Sequence, residues 1–133
     1  SVGRNSNLLM GMCISKRGHF EDAAQFEEFG RLVKDLYRSP IASCRGNGGE
    51  FTLEFDQPEM ARNLIIMEDI HYGERVRRFD VEILTDSGWE PFFEAHCIGH
   101  KRIIPIGRAV RGVRLNIREA VDTPIIKDMT LYR

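Results

Sequence analysis

Two hydrophobic periods divide the chain near Ser39-Pro40. Before that point, NLLMGMCI (Asn7 to Ile14) is a continuous apolar run bounded by polar turns, the pattern of a strand buried on both faces. A loop containing Gly18 follows, and then EDAAQFEEFGRLVKDLY. Its apolar residues Phe26, Phe29, Val33, Leu36 and Tyr37 recur at helical spacing and form one stripe. Glu21 and Asp22 open that segment and Lys34 and Arg38 close it, the charge order that suits a helix dipole. Gly30 weakens the helix by about 1 kcal/mol relative to alanine, and Pro40 ends it.

From Gly48 onward the period is two. In FTLEF, VRRFDVEIL, GVRLNIRE and KDMTLYR, apolar residues alternate with polar ones; NLIIMED, WEPFF and KRIIPI are shorter or doubly apolar. Roughly seven short strands result, punctuated by QPE, HYGE, TDSG, AHCIGH, GRAVRG and AVDTP. The expected fold is mainly β: an antiparallel jelly-roll-type β-sandwich preceded by one strand–helix unit. Phe51, Phe55, Phe79, Val81, Leu115 and Ile117 are its expected core. Trp89, just after the TDSG turn, is expected to cap that core. A single strand–helix unit cannot bury both its faces, so residues 1–40 are expected to lean on something larger.

Composition narrows the function. Of 133 residues, 42% are hydrophobic and 29% charged, with a formal net charge of −1. That balance fits a globular domain and gives no electrostatic case for nucleic acid or an anionic membrane. No apolar window of about 18 residues is present to span a membrane as a helix, and Ser1 opens a polar turn, not an export signal. Three scattered cysteines, Cys13, Cys44 and Cys97, make neither a disulfide framework nor a metal site.

No catalytic set emerges. No serine lies in a G-x-S-x-G context, and no H-E-x-x-H, phosphate-binding or dinucleotide motif occurs. GNGG (Gly46 to Gly49) precedes a strand and not a helix, so it reads as a turn. Glu68 and Asp69 are neighbours on an extended chain and point to opposite faces, which does not suit the paired carboxylates of a glycosidase. Two loops do carry recognition chemistry. Glu68, His71, Tyr72 and Arg75 fall in one, and His100, Lys101 and Arg102 in the other. Charged donors and acceptors beside an aromatic ring, on the rim of a rigid sandwich, suit sugar hydroxyls. The same charges also suit pinning the loops to each other or docking the sandwich onto another domain, and both readings stand. The two loops are expected side by side at one end of the sandwich.

These loops carry a resemblance. The MEDI segment (Met67 to Ile70), the GERV turn (Gly73 to Val76) and the GHKR loop (Gly99 to Arg102) resemble the C-terminal discoidin-like domain (factor V/VIII type C, galactose-binding-like) of glycoside hydrolase family 29 α-L-fucosidases. GRNSNLLM, GHFED and EEFG resemble the last strand and helix of that family's catalytic barrel. The resemblance implies residues 1–40 as the end of a catalytic barrel and 41–133 as an accessory sandwich. It implies an exo-acting fucosidase on fucosylated glycans, secreted, periplasmic or at the cell surface. Its catalytic carboxylates would lie upstream, on an upstream barrel of the parent chain, leaving this segment inactive by itself. The alternative is a free-standing carbohydrate-binding or adhesion module. One stretch departs from the family: IASCRGNGG runs from Pro40 straight to FTLEF, where the family has an opening strand and a D-G-D/T-x-W segment that often helps to bind structural calcium. Calcium is therefore not carried over, and no cofactor is expected. Either residues are missing between Pro40 and Gly48, or a shortened opening leaves an incomplete sandwich with an exposed edge strand.

Overall fold

Alternation at period two places one face of each strand in oil and the other in water, so the strands of this chain have a single way to pair without exposing their apolar side. A computed structural model describes residues 2–133. The elements are α1 (Ala23–Asp35), β1 (Pro40–Asn47), β2 (Glu50–Glu68), a 3₁₀ turn (Ile70–Tyr72), β3 (Val76–Thr85), β4 (Gly88–Ala95), β5 (Arg102–Ala120) and β6 (Ile125–Tyr132). All strand pairs are antiparallel, in one sheet of order β1-β6-β2-β5-β3-β4.

The sheet is coiled into two leaves by its two 19-residue strands, β2 and β5. The expected strands FTLEF and NLIIMED are the two halves of β2, and KRIIPI and GVRLNIRE the two halves of β5. The ladder between them breaks where Glu54 pairs with Gly112 and Glu59 with Val110, a bulge that lets both strands bend together. The second half of β2 pairs with β6, and through it β1; the second half of β5 pairs with β3, and through it β4. Leu64, Ile66, Ile104, Met129 and Leu131 from the first leaf then meet Phe51, Leu53, Phe79, Val81, Val113 and Leu115 from the second in one contiguous core. Each fully buried side chain of this size contributes about 1.5–3 kcal/mol of transfer free energy. Phe55 and Ile117, expected inside, are only half-buried and pack against the core from its margin.

Three local expectations are corrected. Asn7 to Ile14 forms no strand: it lacks a partner to close its backbone hydrogen bonds, and Leu9 is 97% exposed. The stretch after Pro40 is not a bare linker. Pro40 to Asn47 forms β1 and pairs with β6, so the sandwich has its opening strand. Trp89 does not cap the core; its ring lies 3.9 Å beneath the Arg114 guanidinium, outside the core cluster.

The N-terminal segment touches the first leaf. Gly3 accepts from the Ile103 amide (2.9 Å), and the Asn5 amide donates to Lys101 (3.1 Å), so residues 3–5 run beside the start of β5. Gly3 (φ +69°) rests so closely on Ile103 that an added Cβ would fall 2.5 Å from the Ile103 Cβ. After α1, which buries none of its residues, Tyr37 meets Tyr132 edge to face at 6.3 Å.

Candidate functional site

Because β2 ends where β5 begins (Ile66 pairs with Arg102), the loop after β2 and the loop before β5 must emerge together. They lie side by side, as expected. Glu68 joins them. It is 1% exposed, and its Oε1 accepts from the Arg75 and Val76 amides while Oε2 accepts from the Gly99 amide (3.3 Å). The Glu68 amide in turn donates to the Gly99 carbonyl at 3.0 Å. Three backbone donors around one carboxylate replace the water it lost on burial. Such a group holds loops in place and has no free face for a substrate.

The other predicted residues divide by what holds them. Arg75 donates to the Thr123 carbonyl (2.7 Å), pairs with Asp122 (3.5 Å) and has its guanidinium 5.8 Å from the Tyr72 ring, so it ties the first loop to the β5–β6 turn. Lys101 donates to the Tyr37 hydroxyl (3.0 Å) and sits over that ring, which ties the second loop to the end of the helical segment. Arg102 lies 5.5 Å from the Phe93 ring. His71, Tyr72 and His100 are exposed. His71 is oriented by Asp69, whose Oδ1 accepts from both its Nδ1 (2.8 Å) and its amide (3.2 Å). Those hydrogen bonds hold the Asp69 carboxyl below its ordinary range.

Asn5, Glu74, Gly99 and Tyr37 belong to the same cluster and were not read from the sequence. Asn5 takes the positive φ of +53° that asparagine tolerates. Its Oδ1 accepts from the His100 amide (2.7 Å) and its Nδ2 donates to Glu74 (2.8 Å), so one side chain bridges both loops. Gly99 (φ +65°) lies so close that a Cβ there would fall 2.1 Å from Asn5 Nδ2. The only signal was a glycine and an asparagine in polar context, which marks a turn but not its partner. A cleft of about 530 Å³ remains between the N-terminal segment and these loops, lined by Asn5, Leu8, Tyr37, Glu74, His100 and Lys101.

A second polar surface covers the outside of the second leaf. Asn116 donates to Asp80 (2.8 Å) and Glu82 (3.0 Å); Arg118 pairs with Asp80, and Arg114 with Glu82 at 3.4 Å. Burial pushes the Asp80 carboxyl up, but the Arg118 and Asn116 hydrogen bonds outweigh it and hold the group below its ordinary range. Each carboxylate is thus committed to a cation and an amide. No group of metal-ligating side chains occurs among the described residues.

No family model matches the sequence, and no curated protein matches it. Solved structures do match. A candidate α-L-fucosidase from Bacteroides thetaiotaomicron VPI-5482 superposes on all of this chain with a TM-score of 0.92 and 29% identity, and the match covers 32% of that chain. A glycoside hydrolase 29 family member from an unknown rumen bacterium matches 99% of this chain, with a TM-score of 0.87 and 27% identity, over 26% of its own length. A structure of GH31 CBM32-2 bound to GalNAc shares the fold over 67% of each chain, with a TM-score of 0.52 and 12% identity. The chain therefore spans roughly a third of the fucosidase chains it matches, from 24% to 37% of their length.

Proposed function

We propose that this chain is part of an exo-acting α-L-fucosidase that removes fucose from glycans, with its catalytic carboxylates elsewhere on the parent polypeptide. The observation that carries the reading is the match over the whole chain at TM-score 0.92 to a candidate fucosidase of which it spans 32%. Residues 1–40 complete the catalytic barrel as its last strand and helix, and residues 41–133 are the accessory sandwich. Support comes from the apolar residues left in water: Leu8, Leu9, Met10, Met12 and Ile14 are all at least 36% exposed, and Phe29 and Leu32 on α1 are exposed too. A barrel would cover them. The substrate is a fucosylated glycan, and the enzyme works where such glycans are met: secreted, in a periplasm or at a cell surface.

Within this reading the polar loops dock the sandwich. Glu68, Arg75 and Lys101 spend their charges inside the molecule, and Asn5 fastens both loops to the segment leading into the barrel. The polypeptide that carries this segment should hydrolyse an aryl α-L-fucoside, and the 133-residue chain alone should not. Turnover by the purified chain that a Glu68→Gln substitution abolishes would overturn the assignment. The second reading, a free-standing carbohydrate-binding or adhesion module, draws on the fold shared with GH31 CBM32-2. A glycan array separates the two: binding by the wild-type chain, lost on Arg75→Ala, favours the module.

A further inference from the structure

A two-leaf sandwich has two outer faces, and the N-terminal segment lies on one of them. On the first leaf, Ile65 pairs with Ile103 outside the core cluster and is buried all the same, and Gly3 rests on Ile103. The outer face of the second leaf points the other way. It holds a cleft of about 500 Å³ between β3, β4 and β5, with Arg78, Asp80, Glu82, Glu94 and Arg118 as its polar groups and Phe92 as its aromatic surface. Phe92 owes its place to a bulge. Val81 pairs with Phe93 but Glu82 pairs with Pro91, so β4 carries one extra residue and both Pro91 and Phe92 stand against Glu82. Pro91 has no N–H to donate from this edge strand, which blunts the edge against pairing with another chain. What the leaf offers a partner is its face.

The polar groups on that face are held in advance. Arg118 spends Nε and Nη2 on Asp80, which leaves Nη1 to donate. Asn116 and Arg114 both bond Glu82 at Oε2, which leaves Oε1 to accept. Exposed Glu94 adds two more acceptor oxygens. Two arginines stand against three carboxylates around the cleft, so it favours neither an anion nor a cation. Fixed donors and acceptors beside an aromatic surface suit a neutral ligand that is polar at its edge and apolar on its face, which describes a sugar ring. The volume falls in the range of about 300–1,000 Å³ usual for small-ligand sites. We propose that the outer face of the second leaf binds a neutral saccharide, one ring lying against Phe92 with its hydroxyls bonded to Glu82, Glu94 and Arg118. The site is separate from the loops around Glu68, whose charges are spent inside the molecule. It needs only the sandwich and does not rest on the fucosidase reading.

The test titrates the isotope-labelled chain with fucosyllactose and with lactose, both neutral, and follows its amide resonances. The amides of Phe92, Glu94 and Arg118 should shift saturably, while those of His71, Tyr72 and His100 stay in place. Phe92→Ala and Glu94→Ala should each raise Kd about fivefold or more, the loss of one contact to the sugar. Glu94 is exposed, so its variant keeps the fold even where trimming the half-buried Phe92 loosens β4. Tyr72→Ala, on the loops, should leave Kd unchanged. No saturable shift with either sugar, shifts confined to the loops, or the same shifts with inorganic sulfate would each overturn the proposal. Such a failure leaves the fucosidase reading standing, because turnover by the longer polypeptide tests that reading on its own.

Discussion

Glu68 carries a carboxylate to a place with 1% of its surface exposed, and it survives there because three backbone amides point at it. Trimming it to alanine strands those donors, each worth about 1–3 kcal/mol when buried and unpaired. Water reaching the loop edge recovers part of this, so Glu68→Ala should cost about 3 kcal/mol, read as a lower urea midpoint with an unchanged slope. Glu68→Gln should cost less, since it keeps one carbonyl and sets only its NH₂ against an amide donor. The sheet surface around Asp80 behaves differently. Its carboxyl is depressed in the folded state, so its contribution is present above the unfolded value of about 3.9 and is lost as pH falls through the lower folded value. Stability should therefore drop on acidification below about pH 4. Asp80→Asn should flatten that acid limb in chemical denaturation series at stepped pH, while a curve identical to the wild type would exclude Asp80 as its source.

At the scale of elements, α1 stands apart. Helices of about 12–15 residues or fewer are marginal in water without tertiary packing, and α1 has 13 residues and buries none of them. Glu28–Arg31 and Arg31–Asp35 pairs on its surface are screened by solvent and add little. Amide exchange should thus find α1 nearly unprotected in the isolated chain, with the central amides of β2 and β5 the slowest. In the longer polypeptide α1 should become protected, if a barrel covers its apolar stripe. Slow exchange of α1 in the isolated chain would mean that its stability comes from within. The long strands owe their shape to the bulge between Glu54 and Glu59. Gly112 stands opposite it, where a Cβ would come within 2.8 Å of the Leu53 carbonyl.

The whole molecule combines a sandwich with one contiguous core and an N-terminal segment whose apolar residues face water. Backbone without regular hydrogen bonds is where proteases cut first. Limited proteolysis should therefore cleave first between residues 7 and 22, then within the unburied α1, and leave a resistant product beginning near Pro40, identified by intact mass. A first cut inside the sandwich would contradict this account of its stability. In a longer polypeptide that packs a barrel against this segment, the same sites should be protected. The loops around Glu68 and His100 matter at this scale too: they fix the sandwich to residues 3–5 and Tyr37.

Much of the architecture was legible in order. Period two in residues 50–132 determines strands, and polar turns every 8 to 12 residues make them antiparallel. The helix was read two residues too long at each end, because fraying ends lack intrahelical partners that a sequence pattern can show. The apolar run at Asn7 to Ile14 was read as a strand, yet strandness is a property of a pair and its partner is not among these residues. The reverse holds for β1: Ile41 to Asn47 has little pattern of its own and becomes a strand because β6 offers an edge. The same physics governs the site. Sequence placed Glu68, His71, Tyr72, Arg75, His100, Lys101 and Arg102 on two loops, since charge and aromatic content are local properties. Which of them face solvent and which are consumed inside was decided by the fold, which brings Gly99 onto Glu68 and Asn5 between the loops across 31 and 95 residues of chain. Side-chain chemistry is written residue by residue, but a hydrogen-bond partner that far away is chosen only when the sheet closes.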